Sequence, residues 1–135
     1  MNTRSKILAV DDSLVMQRIL SQAIETLGYE PMQASNGEEA LSRLAQNVDD
    51  VALVLLDWNM PVMNGLETLR AIQADSRLAA VPVMMVTTEC EKQSVVEAIK
   101  AGAKHYLTKP FSTQDLSVRI LQCLGEGLRA DFSQG

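Results

Sequence analysis

Five times along this chain a short, mostly apolar run is followed by a segment whose apolar residues recur at steps of three and four. The first kind of segment suits a strand, the second a helix with one buried stripe. Strict alternation of the two leaves few solutions. Each helix carries the chain back over the sheet, so successive strands run parallel and helices cover both faces. The 135 residues suffice for one such domain and not for two. The expected fold is α/β, a single (βα)5 doubly wound parallel sheet.

Strands are expected at Lys6–Val10, Glu30–Ala34, Val51–Leu56, Val83–Val86 and Ala103–Thr108. Val51–Leu56 is apolar throughout, which marks a central strand covered on both faces. Met16, Ile19, Leu20, Ala23, Ile24 and Leu27 stripe the first helix, which Gly28 ends. Ala40, Leu41 and Leu44 stripe the second, behind the turn Ser35-Asn36-Gly37; Leu66, Leu69 and Ile72 stripe the third. Val95, Val96 and Ile99 stripe the fourth. Leu116, Ile120, Leu121 and Leu124 stripe the last, with Ser112 and Asp115 at capping-box spacing. The domain should span residues 1–125, leaving 126–135 as a flexible C-terminal tail.

In an open parallel sheet the functional crevice lies at the carboxyl ends of the strands. Asp11 and Asp12 end the first strand, Asp57 the third, Thr87 the fourth and Lys109 the fifth. Three carboxylates on one rim repel unless a cation or proton compensates. Oxygen ligands suit a hard divalent cation such as Mg²⁺, which commonly takes one or two carboxylates, waters and a phosphate. The alternative for Asp11 and Asp12 is that they only cap the first helix. Lys109 precedes Pro110 at a strand end, a place for a cis bond, and its ammonium suits a phosphate. A carboxylate nucleophile, a cation, an ammonium and a hydroxyl make a phosphoryl-transfer set, with Asp able to carry the group as an aspartyl phosphate.

Composition removes several other classes. Seventeen acidic against 12 basic residues give a net charge of −5, which argues against direct nucleic-acid binding or an anionic membrane surface. No apolar run approaches the roughly 20 residues of a membrane span, so no membrane insertion is expected. The segment Ile7–Val10 is too short for a signal-peptide core, and the location should be cytoplasmic. Cys90 and Cys123 are read as small apolar residues of a reducing compartment, and His105 is the sole histidine, too little for zinc.

Taken in order, Val10-Asp11-Asp12-Ser13, Leu55-Leu56-Asp57-Trp58-Asn59-Met60-Pro61-Val62-Met63-Asn64-Gly65, Thr87 and Tyr106-Leu107-Thr108-Lys109-Pro110-Phe111 resemble the receiver domain of two-component response regulators. The resemblance runs from about Lys6 to Leu124 and points within that family to the stand-alone chemotaxis type. It implies a flavodoxin-like sheet of strand order 2-1-3-4-5. It implies Asp57 as phospho-acceptor, with Mg²⁺ (or Mn²⁺ in its place) held by Asp11, Asp12, Asp57 and the backbone carbonyl of Asn59. Lys109 would contact the phosphoryl group, and Thr87 and Tyr106 would form a switch pair. The output face would be built from the fourth helix, fifth strand and fifth helix, where Lys92, Lys100, Lys104 and Arg119 offer a basic rim.

A protein of this kind is a signalling switch rather than an enzyme, although it catalyses its own phosphorylation and dephosphorylation. Its expected partners are a histidine kinase, a downstream target protein such as a flagellar motor switch, and a phosphatase; the chain should be a monomer. A phosphorelay intermediate that passes the group to a histidine phosphotransfer protein shares every site residue. A small-molecule phosphohydrolase fits less well, because Asn59 stands where such enzymes place a second acid. A flavodoxin-like electron carrier would need a hydroxyl- and glycine-rich first loop where this chain has Asp11-Asp12-Ser13.

Overall fold

The structure, a computed structural model, describes residues 4–125. The expected tail, 126–135, lies outside the described residues. The elements alternate as β1 (Lys6–Val10), α1 (Leu14–Thr26), β2 (Glu30–Ala34), α2 (Gly37–Gln46), β3 (Val51–Leu56), α3 (Gly65–Ala74), β4 (Val83–Thr87), α4 (Lys92–Lys100), β5 (His105–Thr108) and α5 (Thr113–Leu124). All neighbouring strands pair parallel, in the order β2-β1-β3-β4-β5. This is the flavodoxin-like arrangement that the alternation and the resemblance lead one to expect.

Successive side chains of a strand point to opposite faces, and here the two sets feed two cores. Leu8, Val10, Val54, Leu56, Val83 and Met85 pack with Ala40, Leu44, Leu69, Ile72 and Ala98 of α2, α3 and α4. Ile7, Ala9, Leu53, Leu55, Met84 and Val86 pack with Leu20, Ala23, Ile24, Leu116, Ile120 and Cys123 of α1 and α5. β3 lies between them with nearly every residue buried, which explains its uninterrupted apolar run.

Several details differ from the expectation. β5 begins at His105 and not at Ala103, because the amide of Ala103 still bonds the Ala98 carbonyl and completes the C-terminal turn of α4. The stripe of α1 is rotated: Gln17 is buried with Leu20, Ala23 and Ile24, while Ile19 is exposed. The stripe of α4 is not a core face, since only Ala98 is buried and Val96 and Ile99 are exposed. Cys123 is buried, but Cys90 is exposed, so only the first behaves as a small apolar core residue.

Candidate functional site

The adjacent central strands β1 and β3 end in acidic side chains, and the edge strand β5 ends in a basic one, on the same rim. The amide of Asp11 bonds the Ala34 carbonyl at 3.0 Å, and the amide of Asp57 bonds the Val10 carbonyl at 3.0 Å. Both carboxylates therefore hang from the last rungs of the sheet, Asp11 1% and Asp57 7% exposed. Asp12 follows on the surface. One carboxylate oxygen from each of Asp11, Asp12 and Asp57 lies within 4.8 Å of the others.

Helix capping does not account for the pair at the end of β1. Ser13 is the N-cap of α1, its hydroxyl accepting from the Met16 amide at 3.2 Å. Asp11 instead accepts from the Ser13 amide at 2.9 Å through Oδ1, which leaves Oδ2 for the site.

Lys109 reaches this cluster from the end of β5. Its amide bonds the Thr87 carbonyl at 2.9 Å, and the peptide to Pro110 is cis. Its Nζ lies 2.6 Å from Asp11 Oδ2 and 3.5 Å from Asp57 Oδ2, with the side chain only 13% exposed. Asp57 Oδ1 accepts from the Trp58 amide at 2.7 Å. One ammonium facing three carboxylates leaves two negative charges uncompensated. Burial holds the Asp11 carboxyl above the usual carboxylate value, against the hydrogen bonds from Lys109 and Ser13 that favour its ionised form. The all-oxygen donor set and its excess negative charge fit a hard divalent cation, and the backbone carbonyl of the exposed Asn59 lies on the same loop, two residues after Asp57.

Thr87 ends β4, the strand beside that of Asp57, and Tyr106 lies on β5, the strand that leads to Lys109. Thr87 is fully buried, and its hydroxyl oxygen accepts from the Glu89 amide at 3.2 Å. Tyr106 packs against the core on the α2–α3–α4 side and donates its hydroxyl to the Glu89 carbonyl at 2.6 Å. Burial, assisted by Glu89, pushes the phenol up to about 12, so it remains a donor near neutrality. Ser94 at the start of α4 donates to Glu89 Oε2 at 2.8 Å. Glu89 thus joins the ends of β4, β5 and α4. The sequence reading singled out Thr87 and Tyr106 but not this connection through Glu89.

The structure therefore brings Asp11, Asp12, Asp57 and Lys109 together, while Thr87 and Tyr106 are linked to one another through Glu89 and Thr87 to Lys109 through the backbone. The basic residues Lys92, Lys100, Lys104 and Arg119 are exposed, and Lys104 Nζ also bonds the Cys123 carbonyl at 3.1 Å. Gln17 and Thr68 are buried polar residues that sequence reasoning missed. Each lies at helical spacing from buried residues of its own helix, the one signal that was available.

The pattern of the response regulator receiver domain matches residues 7–121. Chemotaxis protein CheY1 of Helicobacter pylori is 43% identical over 121 residues, covering 89% of this chain and 97% of that protein. The solved structure of the chemotaxis response regulator CheY4 of Vibrio cholerae superposes with a TM-score of 0.81 at 35% identity, over 90% of this chain and 100% of that one. The CheY of a CheX–CheY–BeF3–Mg²⁺ complex from Borrelia burgdorferi gives a TM-score of 0.81 at 28% identity, over 87% of each chain.

Proposed function

This chain belongs to the response regulator receiver domain family, and on that premise we propose that it accepts a phosphoryl group on Asp57 from a histidine kinase and thereby changes its affinity for a target protein in chemotaxis or motility signalling. The observation that carries the reading is the Lys109 ammonium seated between the Asp11 and Asp57 carboxylates at 2.6 and 3.5 Å. An acceptor carboxylate needs a cationic partner on the incoming phosphoryl group, and this ammonium is already inside the site. The identity to a chemotaxis protein supports the pathway. The binding of another CheY to CheX supports a partner of that kind for this chain.

Asp11, Asp12, Asp57 and the Asn59 backbone carbonyl would hold Mg²⁺, which when bound neutralises the carboxylates and the phosphoryl oxygens. Asp57 Oδ2, the oxygen that faces the Lys109 ammonium, would be the attacking atom, while Oδ1 accepts from the Trp58 amide. The new P–O bond forms as the P–N bond of the donor phosphohistidine breaks, and the imidazole leaves with the bond's electron pair. Lys109 turns from the carboxylates to the added phosphoryl oxygens. Thr87 can donate its hydroxyl to the same oxygens. The activity is a signalling event confined to the protein's own carboxylate, at a cytoplasmic location.

Incubation with acetyl phosphate and Mg²⁺ should add one phosphoryl group, visible by intact mass. Asp57→Asn should abolish the acid- and base-labile adduct. Equal labelling of the Asn variant at the same position would overturn the assignment.

A further inference from the structure

We infer that Gln17 is a positioning residue for the metal-type acid pair, setting the plane of the Asp11–Asp12 peptide and through it the direction of the Asp12 carboxylate. The inference rests on the Mg²⁺ reading above and deepens it. Gln17 is 4% exposed on the inner side of α1, in register with Leu20 and Ile24. Its Nε2 faces the Asp11 carbonyl at 2.7 Å, the Ala34 carbonyl at 3.2 Å and Ser35 Oγ at 3.2 Å. Two of these neighbours are carbonyls that can only accept, so the amide nitrogen must be the end turned toward them. The nitrogen carries two hydrogens. One serves the short bond to Asp11, and the other is shared between Ala34 and Ser35.

The Asp11 carbonyl lies one residue past the last rung of the β1–β2 pairing, where the strands part. Without a donor it would be a buried acceptor with no partner, which is costly. That carbonyl and the Asp12 amide belong to one rigid peptide unit. Asp11 is then held at both ends: its carboxylate by the Ser13 amide and Lys109, its carbonyl by Gln17. Asp12 is exposed, and no side-chain hydrogen bond fixes its carboxylate among the described residues. Its direction is inherited from the peptide that Gln17 holds. Groups that orient metal ligands in this way typically change metal affinity about 10- to 100-fold when removed.

The test is a Mg²⁺ titration followed by Trp58 fluorescence, with thermal unfolding recorded in parallel without metal. Gln17→Met keeps the length and removes the donor. It should raise the Mg²⁺ dissociation constant about tenfold. Ser35→Ala leaves the Asp11 bond intact and should change the constant less than about twofold. Leu44→Ala, in the opposite core, should lower Tm and leave Mg²⁺ affinity unchanged. Wild-type affinity in Gln17→Met overturns the inference, as does an equal loss in Leu44→Ala. If Gln17→Met does not fold, the side-chain amide signals of Gln17 in wild-type protein take its place: they should move on Mg²⁺ addition while those of Gln46 stay, and unmoved signals overturn the inference. A wild-type protein with no Mg²⁺ response at all would sink the metal reading itself, a failure distinct from a wild-type response that Gln17→Met retains.

Discussion

At the scale of single residues, the site holds its two switch candidates on one backbone unit. Glu89 gives its amide to the Thr87 hydroxyl and receives the Tyr106 hydroxyl at its carbonyl. The Tyr106 ring is therefore placed without a phosphoryl group, and what remains for Thr87 is to turn its hydrogen toward one. Thr87→Ala should leave phosphoryl uptake by Asp57 intact, because Thr87 is neither nucleophile nor cation ligand. It should weaken the conformational response by roughly 1.5–3 kcal/mol, the size of a hydrogen bond to a charged group. Chemical shifts of Tyr106 and α4 with and without beryllofluoride read this directly; a full wild-type shift pattern in the alanine variant would send the coupling through Lys109 instead. Residues of this kind were legible because a carboxylate, an ammonium or a hydroxyl at a strand end has an address. Gln17 had none. A polar residue next to Met16 reads as solvent-facing until the rotation of α1 is known, and the acceptors it serves are backbone carbonyls, which no sequence displays.

At the scale of elements, the site depends on how closely α3 approaches the end of β3. Asn64 and Glu67 form a reciprocal capping box at the start of α3, with bonds of 2.8 and 2.9 Å. Gly65 follows, and a Cβ there would meet the Asp57 carbonyl oxygen and, at 2.8 Å, the Trp58 Cα. Both are backbone atoms of the acceptor loop and cannot swing aside. Gly65→Ala should thus destabilise by about 1–3 kcal/mol as an overpacked contact and also slow labelling of Asp57, whose main chain it displaces. Asn64→Ala should lose about 1 kcal/mol of cap and leave labelling nearly unchanged. Urea unfolding combined with acetyl phosphate labelling separates the two, and parallel losses in both variants would show that the close approach is not special. The strands were legible to within two residues, because short apolar runs in a parallel sheet have little freedom. The stripe of α4 was not. Periodicity reports that Val95, Val96 and Ile99 share a side, and the same pattern results whether that side meets the sheet or, as for Val96 and Ile99, lies open.

At the scale of the whole molecule, titration offers a clean probe because 135 residues contain one histidine, His105 on the edge strand β5. Partial burial, with Arg119 and Lys104 nearby, holds its imidazole below the ordinary value of 6.5. The sign follows from proton uptake. As pH falls through 6.5 the unfolded chain binds a proton that the folded chain still refuses, so stability declines with acidification in this window. The decline ends once the folded imidazole is also protonated. Asp11 acts in the opposite sense: its raised carboxyl retains a proton in the folded state that the unfolded chain has released, so its contribution is largest below the usual value of 3.8 and fades as pH rises through the folded value. The two are separated by comparing wild type with His105→Gln in thermal unfolding between about pH 7.5 and 5.5, the range that brackets an ordinary imidazole. The difference in Tm between them should shift in favour of the glutamine variant as pH falls, since only the wild type has an imidazole to charge. Parallel curves would mean that His105 titrates alike in both states. In the intact fold β5 lies between the fully buried β4 and a rim carrying Lys104 and Arg119. Burial first, and then the two cations already at this edge, oppose a charge gained at His105, so a molecule of net charge −5 still resists protonation there.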